Sequence, residues 1–135
     1  MLSAARAALP VGVGLVVLAV TGCVSNASPG ATASTGVGGA ITVTSSADAC
    51  DLSATTVPSG SVTFSVKNTG SDVAEFYLLA ADGQRVVGEV EDIGPGLSRD
   101  LVVQAAPGSY VAACKPGMSG DGIRHDLTVT DSGVS

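Results

Sequence analysis

Cys114 ends the apolar stretch YVAAC, and Met118 follows four positions later, with Lys115, Pro116 and Gly117 between them. A thiolate and a thioether are soft donors, and together they suit copper. A type 1 copper centre also needs two imidazoles. The chain has one histidine in total, His125, so such a centre is excluded by inventory. Cys50 is the other thiol open to Cys114 once Cys23 is modified. In an oxidising compartment two cysteines most simply form a disulfide. A bridge closing about sixty residues would contribute roughly 4 kcal/mol in the chain-entropy model. As thiolates, the same two sulfurs would instead be metal ligands, favouring copper(I) or zinc. Both readings need the two cysteines close together, and both stay open here.

Hard oxygen donors form the second candidate set. Glu75 lies in the apolar run VAEFYLLA with Tyr77 and Leu79 on the same face of an extended chain, and a buried carboxylate needs a partner or a metal. Glu89 and Glu91 are two apart and share a face if their strand continues; Asp92 follows them. Such oxygens suit iron. The plainer reading is a solvated acidic edge that discourages strand pairing. Met118 is either an axial ligand or an ordinary residue of a Gly-rich loop. His125 shares a strand face with Ile123, Leu127 and Val129, which suggests a packed or surface-edge histidine rather than a ligand. No nucleophile motif surrounds any serine, and there is neither a CxxC pair nor a phosphate loop, so no enzymatic activity is expected.

Charge narrows the partners. Twelve acidic residues face six basic ones, for a net charge of −6. That balance argues against nucleic acid and against electrostatic docking on anionic lipid, and it is compatible with attracting cations. With no Trp, two Tyr and two Phe, stacking platforms for bases or sugars are not expected.

The elements that must position these groups begin after a leader. Arg6 precedes an apolar run, Ala7 to Val20, too short for a comfortable membrane span and suited to a signal peptide. The run stops at Val20-Thr21-Gly22-Cys23, which resembles a bacterial lipobox. Residues 1–22 are thus read as a lipoprotein signal peptide, with Cys23 lipidated and the chain anchored outside the cytoplasm. Residues 23–39 read as a flexible tether of small polar residues. Residues 40–131 form the one folded domain. There, short β-rich runs alternate with turn residues and no helical period appears. SVTFSVKN puts Val62, Phe64 and Val66 on one face and Thr63, Ser65 and Lys67 on the other. VAEFYLLA, QRVVGEV, LSRDLVVQ, SYVAAC and IRHDLTVT supply further strands. EDIGPG is read as a loop. The expectation is an all-β sandwich of seven or eight strands.

Several spaced motifs carry a family resemblance. Val57-Pro58-Ser59-Gly60, Val62-Thr63-Phe64 and Asn68-Thr69-Gly70, then Pro107-Gly108-Ser109-Tyr110 before Cys114, resemble a cupredoxin fold, a Greek-key β-sandwich. Cys50-Asp51, Glu75, Asp92-Ile93-Gly94-Pro95-Gly96 and Cys114-Lys-Pro-Gly-Met resemble the EfeO-type cupredoxin-like domain of iron uptake. The likeness spans about residues 41–130. It implies that Glu75 stands where a copper-binding histidine falls in relatives. Many such proteins carry a helical domain with an His-x-x-Glu motif; here the single histidine is followed by Asp126-Leu127-Thr128, and the motif is absent. The implied function is a lipid-anchored metal-binding module for iron or copper acquisition or handling. Cys50, Cys114 and Glu75 would be the core of its site, beside partners such as a permease or a haem peroxidase. The alternative is a disulfide-stapled interaction module of the cell envelope that binds no metal.

Overall fold

The computed structural model describes residues 38–133. The signal peptide, the lipidation site Cys23 and the tether up to residue 37 lie outside the described residues. Nine strands follow in order: β1 Ala40–Ser45, β2 Cys50–Leu52, β3 Thr56–Pro58, β4 Gly60–Asn68, β5 Ala74–Ala80, β6 Val86–Ile93, β7 Ser98–Ala105, β8 Gly108–Pro116 and β9 Ile123–Thr130. They form a four-stranded sheet, β2-β1-β4-β7, and a five-stranded sheet, β3-β9-β8-β5-β6. The pairs β1–β4 and β3–β9 are parallel and the others antiparallel. This is the expected Greek-key sandwich.

Two details differ from the sequence reading. The strands number nine rather than seven or eight, and residues 52–57, LSATTV, are divided between β2 and β3. Ser53 is still tied to β1, its N–H donating to Thr42 O at 2.9 Å, whereas Thr55 O accepts from Thr128 N of β9 at 2.9 Å. The chain therefore changes sheets at Ala54, which splits the segment into two three-residue strands. EDIGPG is also not wholly a loop, since β6 continues through Ile93.

Alternation decides what is buried. Val62, Phe64, Val66 and Asn68 of β4 point inward, facing Phe76 and Leu78 of β5 and Ala112 and Cys114 of β8. Phe64 and Phe76 meet across the sandwich with ring centroids 5.2 Å apart and planes tilted by 41°, the offset geometry that aromatic quadrupoles favour. Gly88 lets β6 lie against β7, because a Cβ there would stand 2.6 Å from Val103 Cγ1.

The end of the sandwich that carries loops 69–73, 94–97 and 117–122 is organised by one buried amide. Asn68 Nδ2 donates to Asp72 O at 2.7 Å and to Ile93 O at 2.8 Å. Its Oδ1 accepts from Gly70 N at 2.8 Å. Its main-chain N–H donates to Leu97 O at 3.0 Å, and its carbonyl accepts from Gly96 N at 2.8 Å. A fully satisfied buried amide fixes two loops at once. Removing it leaves those carbonyls and that N–H without partners, each costing about 1–3 kcal/mol when buried. Asn68→Ala should therefore lower stability by about 3 kcal/mol, read as a drop in the urea midpoint at unchanged m-value. Asn68→Asp, which keeps the acceptor and loses the donors, should recover only part of it.

Candidate functional site

The predicted ligands fall on two faces of one sheet. Cys114 and Lys115 are successive residues of β8. Cys114 is directly opposite Phe76 on β5, and Lys115 is opposite Glu75. Because successive side chains of a strand leave on opposite faces, Cys114 points into the core and Glu75 points out.

On the inner face, Cys50 of the four-stranded sheet and Cys114 of the five-stranded sheet form a disulfide, with Cα atoms 5.6 Å apart and a sequence separation of 64. Both are buried, 1% and 0% exposed. The bridge ties the short edge strand β2 to the opposite sheet. Beside it lies Ser45, which pairs with both Cys50 and Asn68. Ser45 Oγ is, among the described residues, the one buried side-chain oxygen or nitrogen without a hydrogen-bond partner. Nothing in the sequence distinguished it.

On the outer face, Tyr77 gathers the carboxylates. Its hydroxyl is shared between Glu75 Oε2 at 3.0 Å and Glu91 Oε1 at 3.3 Å. Glu89 stands directly opposite Tyr77. The ladder shifts between Ala74↔Ile93 and Phe76↔Val90, so Glu91 and Asp92 together face Glu75. Asp92 takes up the extra residue at φ 55°, as bulges do. Lys115 Nζ rests over the Tyr77 ring, 4.4 Å from its centroid, a cation–π contact. Burial pushes the Tyr77 phenol well above its ordinary value of 10.0, and hydrogen bonding and charge from Glu75, then Glu91, add to the shift. Glu75 is half-buried, while Glu89, Glu91 and Asp92 are exposed. The parity of Glu75 with Tyr77 was readable in the sequence. That Glu91 and Lys115 would join them was not, because cross-strand register has no local signature.

The remaining candidates stand apart. Met118 is 47% exposed at φ 54° in the 117–122 turn. There Gly117 N donates to Val73 O at 2.8 Å. Gly122 has a φ of +76°, and a Cβ there would stand 2.5 Å from the Cys114 carbonyl oxygen. His125 is exposed on β9 opposite Ala112. Among the described residues no three His, Cys, Asp or Glu side chains are placed to hold one metal ion. A type 1 copper centre does not fit these residues. The inward sulfur of Cys114 is bonded to Cys50, the single imidazole is on the surface, and Glu75 faces away.

Two measurements follow from this geometry. Replacing both cysteines by alanine should lower stability by about 4 kcal/mol in the chain-entropy model, seen in urea unfolding; a change under about 1 kcal/mol would mean the sheets dock equally well without the bridge. An alkaline titration at the tyrosinate band should show one step displaced above pH 10.0. Tyr77→Phe should remove that step, and Glu75→Gln should move it back toward its ordinary position. Since the folded-state pKa is raised, the stability tied to Tyr77 is fully present below pH 10 and is lost as pH rises through the displaced value.

The sequence profile of the cupredoxin-like domain matches residues 14–129. No curated protein sequence is significantly similar to the chain. Among solved structures, the fold is similar to reduced auracyanin from Roseiflexus castenholzii, at 22% identity and a TM-score of 0.54, covering 67% of this chain and 96% of that one. Auracyanin A, a blue copper protein from Chloroflexus aurantiacus, is similar at 16% identity and a TM-score of 0.49, covering 67% and 99%. The profile match takes in all nine strands up to the last residue of β9 but one, and the chain belongs to the cupredoxin-like domain family.

Proposed function

We propose that this protein is a disulfide-stapled binding module of the cell envelope, held outside the cytoplasm by lipid on Cys23, and that it works through its surface rather than by electron transfer or catalysis. One observation carries the reading: the Cys50–Cys114 bridge, sealed between the sheets. The sulfur that a copper site of this fold would need is thereby occupied, and the bridge holds the loop end together. The acidic surface favours cationic or basic partners.

A second reading has its own support. Glu75 and Glu91 converge on the Tyr77 hydroxyl, and these are hard oxygen donors of the kind that suits iron. In that reading the chain is an EfeO-type module that hands iron, or copper, to membrane components such as a permease or a haem peroxidase. Reduction of Cys50–Cys114 would supply two thiolates for copper(I) or zinc. Glu89, opposite Tyr77, would be an auxiliary donor to the carboxylate site, and Met118 an auxiliary donor to the thiolates.

The readings separate in one set of titrations on the chain from residue 23 onward carrying Cys23→Ser. The binding-module reading expects no free thiol without reductant and no calorimetric binding of Fe(II), Fe(III), Cu(I), Cu(II) or Zn(II) tighter than roughly 10 μM, about 7 kcal/mol. Tighter Fe(III) binding that disappears in Glu75→Gln would establish the carboxylate site and displace the first reading. Binding seen only after reduction, and lost in Cys50→Ser, would establish the thiolate site instead. Lipidation is checked in cells by the release of Cys23→Ala from the membrane fraction.

A further inference from the structure

The outer face of the five-stranded sheet carries a concavity that neither cysteine nor the Glu75–Glu91 pair explains. The turn after β5 folds back over the sheet: Gly83 N donates to Ala80 O at 2.8 Å, Ala80 N donates to Arg85 O at 2.8 Å, and Gly83 is buried. Arg124 of β9 reaches across to hold it, Nη1 donating to Gly83 O at 2.9 Å. Between this turn and Lys115 lies a groove of about 510 Å³, with Tyr77, Leu79 and Val86 among its lining residues. That size is within the range of small-molecule sites, roughly 300–1,000 Å³.

The polar groups of the groove are unevenly committed. Asp82 Oδ1 already accepts from Gln84 N at 2.9 Å and Arg85 N at 3.0 Å, and those backbone N–H groups, Arg85 first, hold its carboxyl below the usual range. Asp121 has a side chain 98% exposed and 3.8 Å from Arg124 Nη2, the one ion pair among the described residues. Glu75 and Glu91 are engaged by the Tyr77 hydroxyl. The cations are freer. Lys115 Nζ lies over the Tyr77 ring and is bonded to no carboxylate among the described residues. Arg124 uses Nε on Asp121 O and one Nη1 hydrogen on Gly83 O, which leaves further donors of its five. Val86, 47% exposed, gives the groove an apolar wall open to solvent.

We propose that this groove binds a small carboxylate carried on an apolar body. Lys115 and Arg124 receive the carboxylate, and Leu79, Val86 and the Tyr77 ring receive the apolar part. Charge-assisted hydrogen bonds to the half-buried Lys115 and the exposed Arg124 supply the orientation. The inference rests on the binding-module reading only in taking the surface as the working part. The thiol and metal titrations above are independent of it, so either can fail alone.

The test is an NMR titration of the Cys23→Ser chain with N-acetyl-leucine, which has the carboxylate and apolar body, against leucinamide, which has the body and an ammonium instead. Saturable shifts centred on Tyr77, Leu79 and Val86, with a dissociation constant on the order of 1 mM, are expected for N-acetyl-leucine and not for leucinamide. Lys115→Met should weaken binding about fivefold, the upper range for a partly exposed ion pair. Arg124→Met also removes the tie to Gly83 and can loosen the turn, so Val86→Glu serves as the second variant; it should abolish the shifts while the dispersed β-sheet spectrum persists. Equal response to leucinamide overturns the proposal. So does the absence of saturation, or an unchanged titration in both Lys115→Met and Val86→Glu.

Discussion

A β-strand turns successive side chains to opposite faces, and in β8 that rule separates Cys114 from Lys115. Everything chemical about the domain divides along this line. Inward, Cys114 meets Cys50 and closes the sandwich. Outward, Lys115 joins Tyr77, Glu75 and the wall of a groove. Two groups adjacent in the chain therefore belong to two unrelated environments, one dry and covalently fixed, the other wet and charged. No ligand set drawing on both Cys114 and Glu75 can form while the strand keeps its register.

The loop end depends on two fixed points of different kinds. The disulfide constrains β2, a three-residue edge strand with too little pairing of its own to hold position. The Asn68 amide does the same for loops 69–73 and 94–97 by hydrogen bonding alone. Between them lies Ser45, buried and unpartnered, a small energetic penalty accepted where three strands converge. Covalent and amide cross-links hold the loops at this end.

Much of the architecture was legible because sheets encode themselves in period two. The inward set Val62, Phe64 and Val66 reads directly off SVTFSVKN, and β9 spans the whole of IRHDLTVT. The sheet change at Ala54 was not legible, since LSATTV holds no Gly, Pro, Asn or Asp to mark a turn and the break arises from which neighbour each half finds. The extension of β6 was hidden for a related reason. Its bulge at Glu91–Asp92 interrupts the alternation by which a strand is recognised.

By itself the sequence determined the class of fold, the inventory of donors and the exclusion of a type 1 copper centre, because composition and alternation are local properties. It also limited Cys50 and Cys114 to a few roles without choosing among them. Only the tertiary structure decided that these sulfurs bond to one another, that Glu75 looks away from them, and that Glu91, Tyr77 and Lys115 meet. Those outcomes depend on strand order and cross-strand register. Both are set by how two sheets bury their apolar faces together, a global energy that no short stretch of residues carries.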